Sequence, residues 1–265
     1  MLVVIMFSFL FCQCTHHNAE DESAVPEGEL VIPEGELIIP EGCFFPDVMD
    51  KYSYPIEYGT MEWKKIHPDD WLNASQLPDD VLKSISSLGL IRSFIDTPYP
   101  IIHICLYASH MPCVTARGLS FDFNSLKELL TRKDGAQALM VFYAATKLDC
   151  VESLKEWDNS WEFSLRLATL EYLFTLTEIL EKLSREDKKK VVEILLVNYR
   201  QWLQLNDSNP QNGNNSRLLT VMVWLMYDDM LPYFDKEILD MLKENILVKD
   251  VIDDIVAFAE RFTLK

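Results

Sequence analysis

Within one short stretch, His103, Cys105, His110 and Cys113 are the side chains of this chain best suited in type to hold a metal. Imidazole nitrogen and thiolate sulfur are the donors zinc prefers, usually in pairs roughly two to four residues apart, and His110-x-x-Cys113 meets that spacing loosely. On a helix turning about 100° per residue, His103, His110 and Cys113 fall on one side and Cys105 nearly opposite. Pro112 would interrupt such a helix. The stretch therefore reads first as an apolar buried segment, and no metal or other cofactor is expected. A second constellation, Glu152, Glu156 and Asp158 beside Trp157 and Trp161, has the acids and rings of a sugar-cleaving cleft. An amphipathic helix with solvated acids explains the same residues, as it does Asp228-Asp229 and Asp253-Asp254. The basic run Lys188 to Lys190 reads as a solvated face, and Trp63, Trp71, Trp202 and Trp224 as core anchors. The chain contains no G-x-S-x-G, phosphate loop, H-E-x-x-H or Rossmann glycine pattern. No catalytic residue is assigned.

Cys14 is the remaining candidate for chemistry. It follows an uncharged apolar run, Leu2 to Phe11, which is half the roughly 20 residues a spanning helix needs and suits the apolar region of a secretory signal. No Lys or Arg precedes the run. A thiolate is the nucleophile that thioether attachment of a lipid requires, so Cys14 is the expected lipidation site. Phe11, Cys12 and Gln13 match the residues before a lipobox cysteine only in part. Ordinary signal-peptidase cleavage after Cys14, giving a secreted soluble protein, and a buried N-terminal element both stay open. Processing at Cys14 leaves Cys43, Cys105, Cys113 and Cys150, whose pairing the sequence does not choose.

The segment from Thr15 to Pro46 carries one phrase three times: Pro26-Glu27-Gly28-Glu29-Leu30, Pro33-Glu34-Gly35-Glu36-Leu37 and Pro40-Glu41-Gly42-Cys43-Phe44. Proline every seventh residue, followed by Glu-Gly, forbids a helix and favours turns. The segment reads as an extended spacer reaching on the order of 100 Å. The alternative is that Leu30-Val31-Ile32 and Leu37-Ile38-Ile39 lie on the folded domain as edge strands. An excess of 42 acidic over 24 basic residues gives a net charge of −18, which repels nucleic acid and anionic lipid headgroups.

Residues 47–265 read as one all-α domain, an irregular helical bundle or HEAT-like helix stack, with an aromatic, turn-rich lead-in over 47–76. Val81, Leu82, Ile85 and Leu88 follow helical spacing behind Pro78-Asp79-Asp80. Asn124 is placed to cap a helix over Ser125 to Arg132. Further helices are expected over Ala136 to Leu148 and Ser160 to Leu183. Ser184-Arg185-Glu186-Asp187 resembles a capping box, opening a helix that carries Val191, Leu195, Tyr199 and Trp202. Asn206 to Ser216 is a loop with Pro210, Gly213 and five asparagines. Beyond it lie Arg217 to Met230, Asp235 to Asn245 and Asp250 to Phe262. Short connections imply antiparallel neighbours.

The run Leu77-Pro78-Asp79-Asp80-Val81-Leu82-Lys83-Ser84-Ile85-Ser86-Ser87-Leu88-Gly89-Leu90, with Tyr99-Pro100 after it, resembles the opening of an uncharacterised family of exported Bacteroidetes helical proteins. Leu129-Leu130-Thr131-Arg132-Lys133-Asp134 is similar to that family's Leu-Leu-x-Arg-Lys-Asp phrase, and the likeness covers roughly residues 77 to 145. It implies an exported helical domain and brings no catalytic residues. Asn18-Ala19-Glu20-Asp21-Glu22 resembles the acidic export signal behind the lipidated cysteine of Bacteroidetes surface lipoproteins. The expectation is a lipid-anchored protein of the outer membrane or cell surface, or otherwise periplasmic or secreted. Its function is expected to be interaction with a protein or peptide, with glycan binding or processing as the alternative.

Overall fold

The second copy of the repeat supplies a strand. In the computed structural model, which describes residues 37–38, 45–99, 112–146, 160–205, 213–246 and 248–264, strand β1 (Leu37–Ile38) runs antiparallel to β2 (Asp47–Val48). Leu37 lies opposite Val48 and Ile38 opposite Asp47. The spacer therefore gives way to the edge-strand reading at Leu37–Ile38. Prolines on both sides of this phrase keep it short.

Beyond the 3₁₀ turns Trp63–Lys65 and Pro68–Asp70 come α1 (Trp71–Ala74) and α2 (Asp79–Ser84). Asp79 and Asp80 sit in the first turn of α2, where carboxylates complement the helix dipole. The apolar spacing predicts one helix through Leu88, but the chain breaks at Ile85 and restarts as α3 (Ser87–Ile95). Asp50 causes the break. Its carboxylate accepts the Ser86 amide at 2.6 Å and the Ser86 hydroxyl at 2.9 Å, and Ser86 Oγ accepts the Gly89 amide at 2.9 Å as the cap of α3. Arg132 closes the other side, donating to the exposed carbonyls of Leu82 at 2.6 Å and Ile85 at 2.5 Å at the end of α2.

The following helices are α4 (Pro112–Asp122), α5 (Asn124–Thr131), α6 (Gly135–Ala145), α7 (Ser160–Leu173) and α8 (Thr177–Leu180). Pro112 begins α4, where its missing amide costs nothing in a first turn. The stretch before it, where a helix would be interrupted, lies outside the described residues. Asn124 is the first residue of α5 rather than its cap: its side chain accepts the Leu77 amide at 3.0 Å and donates to the Leu77 carbonyl at 2.8 Å. Gln76 Oε1 takes the Asn124 amide at 2.8 Å. The long helix expected over Ser160 to Leu183 is divided. Phe174, Thr175 and Leu176 bond to carbonyls three residues back, at 3.2, 2.9 and 3.1 Å, and Leu176 then turns extended.

Ser184 and Asp187 do form the reciprocal cap. The Asp187 amide donates to Ser184 Oγ and the Ser184 amide to Asp187 Oδ2, each at 3.1 Å. They open α9 (Arg185–Leu205), which is followed by α10 (Gly213–Met230), α11 (Lys236–Lys243) and α12 (Ile252–Leu264). Among the described residues the fold is all-α apart from the short strand pair. Helix α9 packs on α10 and α12, and α10 also meets α11 and α12. The earlier helices pack as α3 against α5 and α6 and α4 against α5. Helix α7, touching α4 and α10, and α6, touching α9, tie the two groups into an irregular bundle. Among the described residues, no helix is long and apolar enough to cross a membrane.

Candidate binding cleft

The aromatic lead-in wraps the C-terminal end of α3, and Arg92 holds it there. Its Nη1 donates to the carbonyls of Phe45 at 2.9 Å and Pro46 at 3.0 Å, while Nε and Nη2 donate to the two oxygens of Asp96 at 2.9 and 2.8 Å. Such a fork-to-fork pair fixes geometry as well as charge. Lys51 Nζ completes the network, 2.7 Å from Asp47 and 3.3 Å from Asp96. The Tyr52 amide donates to Ser93 Oγ at 2.8 Å.

Between the lead-in, α3 and α7 lies a cleft of about 760 Å³, within the roughly 300–1,000 Å³ range of small-molecule sites. Its walls are aromatic. Tyr52 and Tyr54 meet edge to face with centroids 5.0 Å apart, and Phe45 lies 4.9 Å from Phe163 of α7. Tyr58 stands at the rim, 59% exposed, its ring inclined at 72° to that of the buried Trp63 with centroids 6.0 Å apart. Between the rings sit Lys51, Arg92 and Arg166 and, against them, Asp47, Glu57 and Asp96. Arg166 donates to the carbonyl of Ile95.

The acids and cations at the cleft are largely committed to one another. A general acid needs a carboxyl raised toward neutrality. The hydrogen bond from Lys51 instead holds the Asp47 carboxyl below the usual range, and Asp96 is committed to Arg92 and Lys51. Burial pushes the Tyr54 phenol well above its ordinary range, and its hydroxyl donates to the Ser75 carbonyl at 3.3 Å. Because the folded-state pKa of Asp47 is depressed, its contribution is present above about pH 4 and is lost as pH falls through the folded value. Asp47 is partly exposed, so Asp47→Asn should cost only a few tenths of a kcal/mol at pH 7. Urea-unfolding midpoints of variant and wild type should converge toward pH 2. A constant gap would show that the pair contributes nothing through charge.

Cys14, His103, Cys105, His110, Glu152, Glu156, Trp157 and Asp158 lie outside the described residues, while Cys113 falls on α4 and Trp161 on α7. Among the described residues no His, Cys, Asp and Glu group is placed to hold a metal. Asp229 pairs with Arg185 at 2.7 Å, and Asp253 and Asp254 lie in the first turn of α12. Lys189 pairs with Glu186 at 2.8 Å but its side chain is only 12% exposed, and of the run Lys188 to Lys190, expected as a solvated face, Lys190 alone is exposed. Trp63 and Trp202 are buried, while Trp71 and Trp224 are half-buried. Trp224 donates to the Lys243 carbonyl at 3.1 Å, beneath the Lys243 ammonium 4.0 Å from its ring.

One polar cluster lies outside every motif singled out by sequence. Glu171 of α7 and Arg217 of α10 form a fully buried ion pair. Tyr143 of α6 donates to Glu171 at 2.9 Å, and Asn198 of α9 donates to the Tyr143 hydroxyl at 2.7 Å. Four helices meet at this cluster, away from the cleft residues. Burial pushes the Glu171 carboxyl up, against the pull of Arg217 and the Tyr143 hydroxyl. Comparison of the chain with family models, curated proteins and solved structures gives no match.

Proposed function

We propose that this chain is an exported, lipid-anchored and non-enzymatic binding module of the bacterial outer membrane or cell surface, with Cys14 as the anchored residue. The cleft carries the reading: aromatic walls and ion-paired charges form a site for holding a molecule, and the hydrogen bond from Lys51 holds the Asp47 carboxyl below its usual range rather than raising it. The short apolar leader, the acidic residues after Cys14 and the proline-interrupted repeat support delivery to a membrane surface. Acyl chains contribute about 0.8 kcal/mol per buried methylene, so the two or three chains of a lipoprotein anchor it durably.

A protein or peptide is the class of partner that the outer faces of a helical bundle suit; the cleft itself favours another. The second reading, a glycan, is favoured by the tyrosines set among planar charged groups in the cleft. Anchoring is tested by intact-mass analysis of membrane fractions from wild type and Cys14→Ala. Wild type should carry the diacylglycerol mass and stay with the membrane, and the variant should lose both. Unchanged mass and location in the variant would remove the lipoprotein reading while leaving the cleft untouched.

A further inference from the structure

We propose that the cleft between the lead-in, α3 and α7 binds an uncharged oligosaccharide. The inference rests on the reading of the cleft as the binding surface and names its ligand. A pyranose ring has an apolar C–H face and a rim of hydroxyls. It therefore calls for aromatic surface and planar polar groups in alternation, and the cleft supplies both.

Tyr52, Tyr54, Tyr58 and Phe163 offer ring surface that covers apolar area at little cost in side-chain entropy. Asp47, Asp96, Arg92 and Lys51 are already fixed by one another at 2.7 to 3.3 Å. A carboxylate has about four acceptor positions, so Asp47 and Asp96 keep capacity for hydroxyls without having to reorganise, while Arg92, four of whose five N–H groups are committed to Asp96, Phe45 and Pro46, keeps one. Charge narrows the ligand further. Three cations and three anions line the cleft, so it is locally balanced on a chain of net charge −18. An anionic ligand would be opposed by the surrounding field and would compete with Asp47 and Asp96 for their cations. A cationic one would compete with Lys51 and Arg92 for the same carboxylates.

A peptide fits these walls less well. Peptides gain affinity from main-chain pairing at a sheet edge or from apolar anchors in a greasy groove. Here the rings are largely phenols, interrupted by charge. The cleft is also open at its rim, where Ser53 and Tyr58 are exposed, which suits a chain that continues beyond the site.

The test is calorimetric titration of the purified full chain with cellotriose, maltotriose, mannotriose, xylotriose and chitotriose, with trigalacturonate as the anionic comparison. At least one neutral trisaccharide should bind, and trigalacturonate should bind at least tenfold more weakly than that sugar. Ser53→Trp, which fills the rim from an exposed position, should abolish binding. Tyr58→Ala should weaken it by about 2- to 12-fold, the range expected for one lost ring contact. Unchanged thermal midpoints would show that both variants remain folded. Binding of none of the neutral sugars, or equal binding by wild type and Ser53→Trp, would overturn the proposal. A displayed random-peptide library panned in parallel on wild type and Ser53→Trp separates the two failures. Peptides selected by wild type alone would keep the cleft as a binding surface while removing the sugar. No sugar and no such peptide would remove both readings.

Discussion

Replacing Arg217 by methionine is expected to lower the unfolding free energy of the helical domain by about 3–5 kcal/mol. In a domain of this size that shifts the thermal midpoint down by roughly 6 to 20 °C. Glu171 is the reason. Its side chain is wholly buried, and without the guanidinium it must either stay charged in an apolar interior or take up a proton. Removing both partners should be milder: Glu171→Leu with Arg217→Met leaves no buried charge, and its remaining cost is the Tyr143 hydroxyl, which loses its acceptor. The double variant should recover most of the loss.

The pH dependence gives a second check on the same pair. A carboxyl with a raised folded-state pKa binds protons more readily in the native than in the unfolded state. The native state therefore gains relative stability as pH falls from the folded value toward the unfolded value near 4.5. Losing Arg217 raises the folded value further, so the deficit of Arg217→Met should shrink between pH 7 and pH 5 in urea titrations. A deficit independent of pH would show that it comes from lost packing around the arginine stem.

Local features of this chain were legible in its sequence, and contacts spanning the fold were not. The Ser184–Asp187 cap closes within four residues, so the residue types alone announce it. Asn124 has the right type for a cap, yet its partners lie on the segment around Leu77, 47 positions away. The helix break at Ile85 is set by Asp50, which bonds to Ser86 36 positions on, against an apolar pattern that runs on without interruption. The cleft was half visible. The density of aromatics in the lead-in marked it as something other than linker, but Arg92, which pins that lead-in at Phe45, reads in sequence as an ordinary polar residue of an apolar helix. Glu171 sits between Leu170 and Tyr172 with no nearby cation, and its partner comes 46 residues later. An acid on the apolar stripe of a helix was the available signal; the identity of its counter-ion was not.

Gly135→Ala is expected to destabilise the domain by about 1–3 kcal/mol, the usual cost of overpacking, although alanine is the better helix former by nearly 1 kcal/mol. Gly135 opens α6, and a methyl group there would lie 2.3 Å from the backbone carbonyl oxygen of Leu129. That carbonyl ends α5 and accepts the Arg132 amide at 3.2 Å. The corner between the helices has little freedom to open. Lys182 Nζ holds the carbonyls of Leu130 at 2.6 Å and Arg132 at 2.9 Å, Ser87 Oγ donates to Asp134 at 2.8 Å, and the Arg132 side chain bonds to the end of α2. Gly89 is the matched comparison. A methyl group there would meet Ile85 Cγ1 at 2.5 Å and Asp50 Oδ1 at 2.7 Å, both side-chain atoms, which can give way without a backbone shift at the expense of the Asp50 bonds to Ser86. Chemical unfolding should therefore rank Gly135→Ala as the more costly of the two. If it instead left the midpoint unchanged or raised it, the α5–α6 corner would be looser than these bonds imply, and helix propensity would be the deciding term at that position.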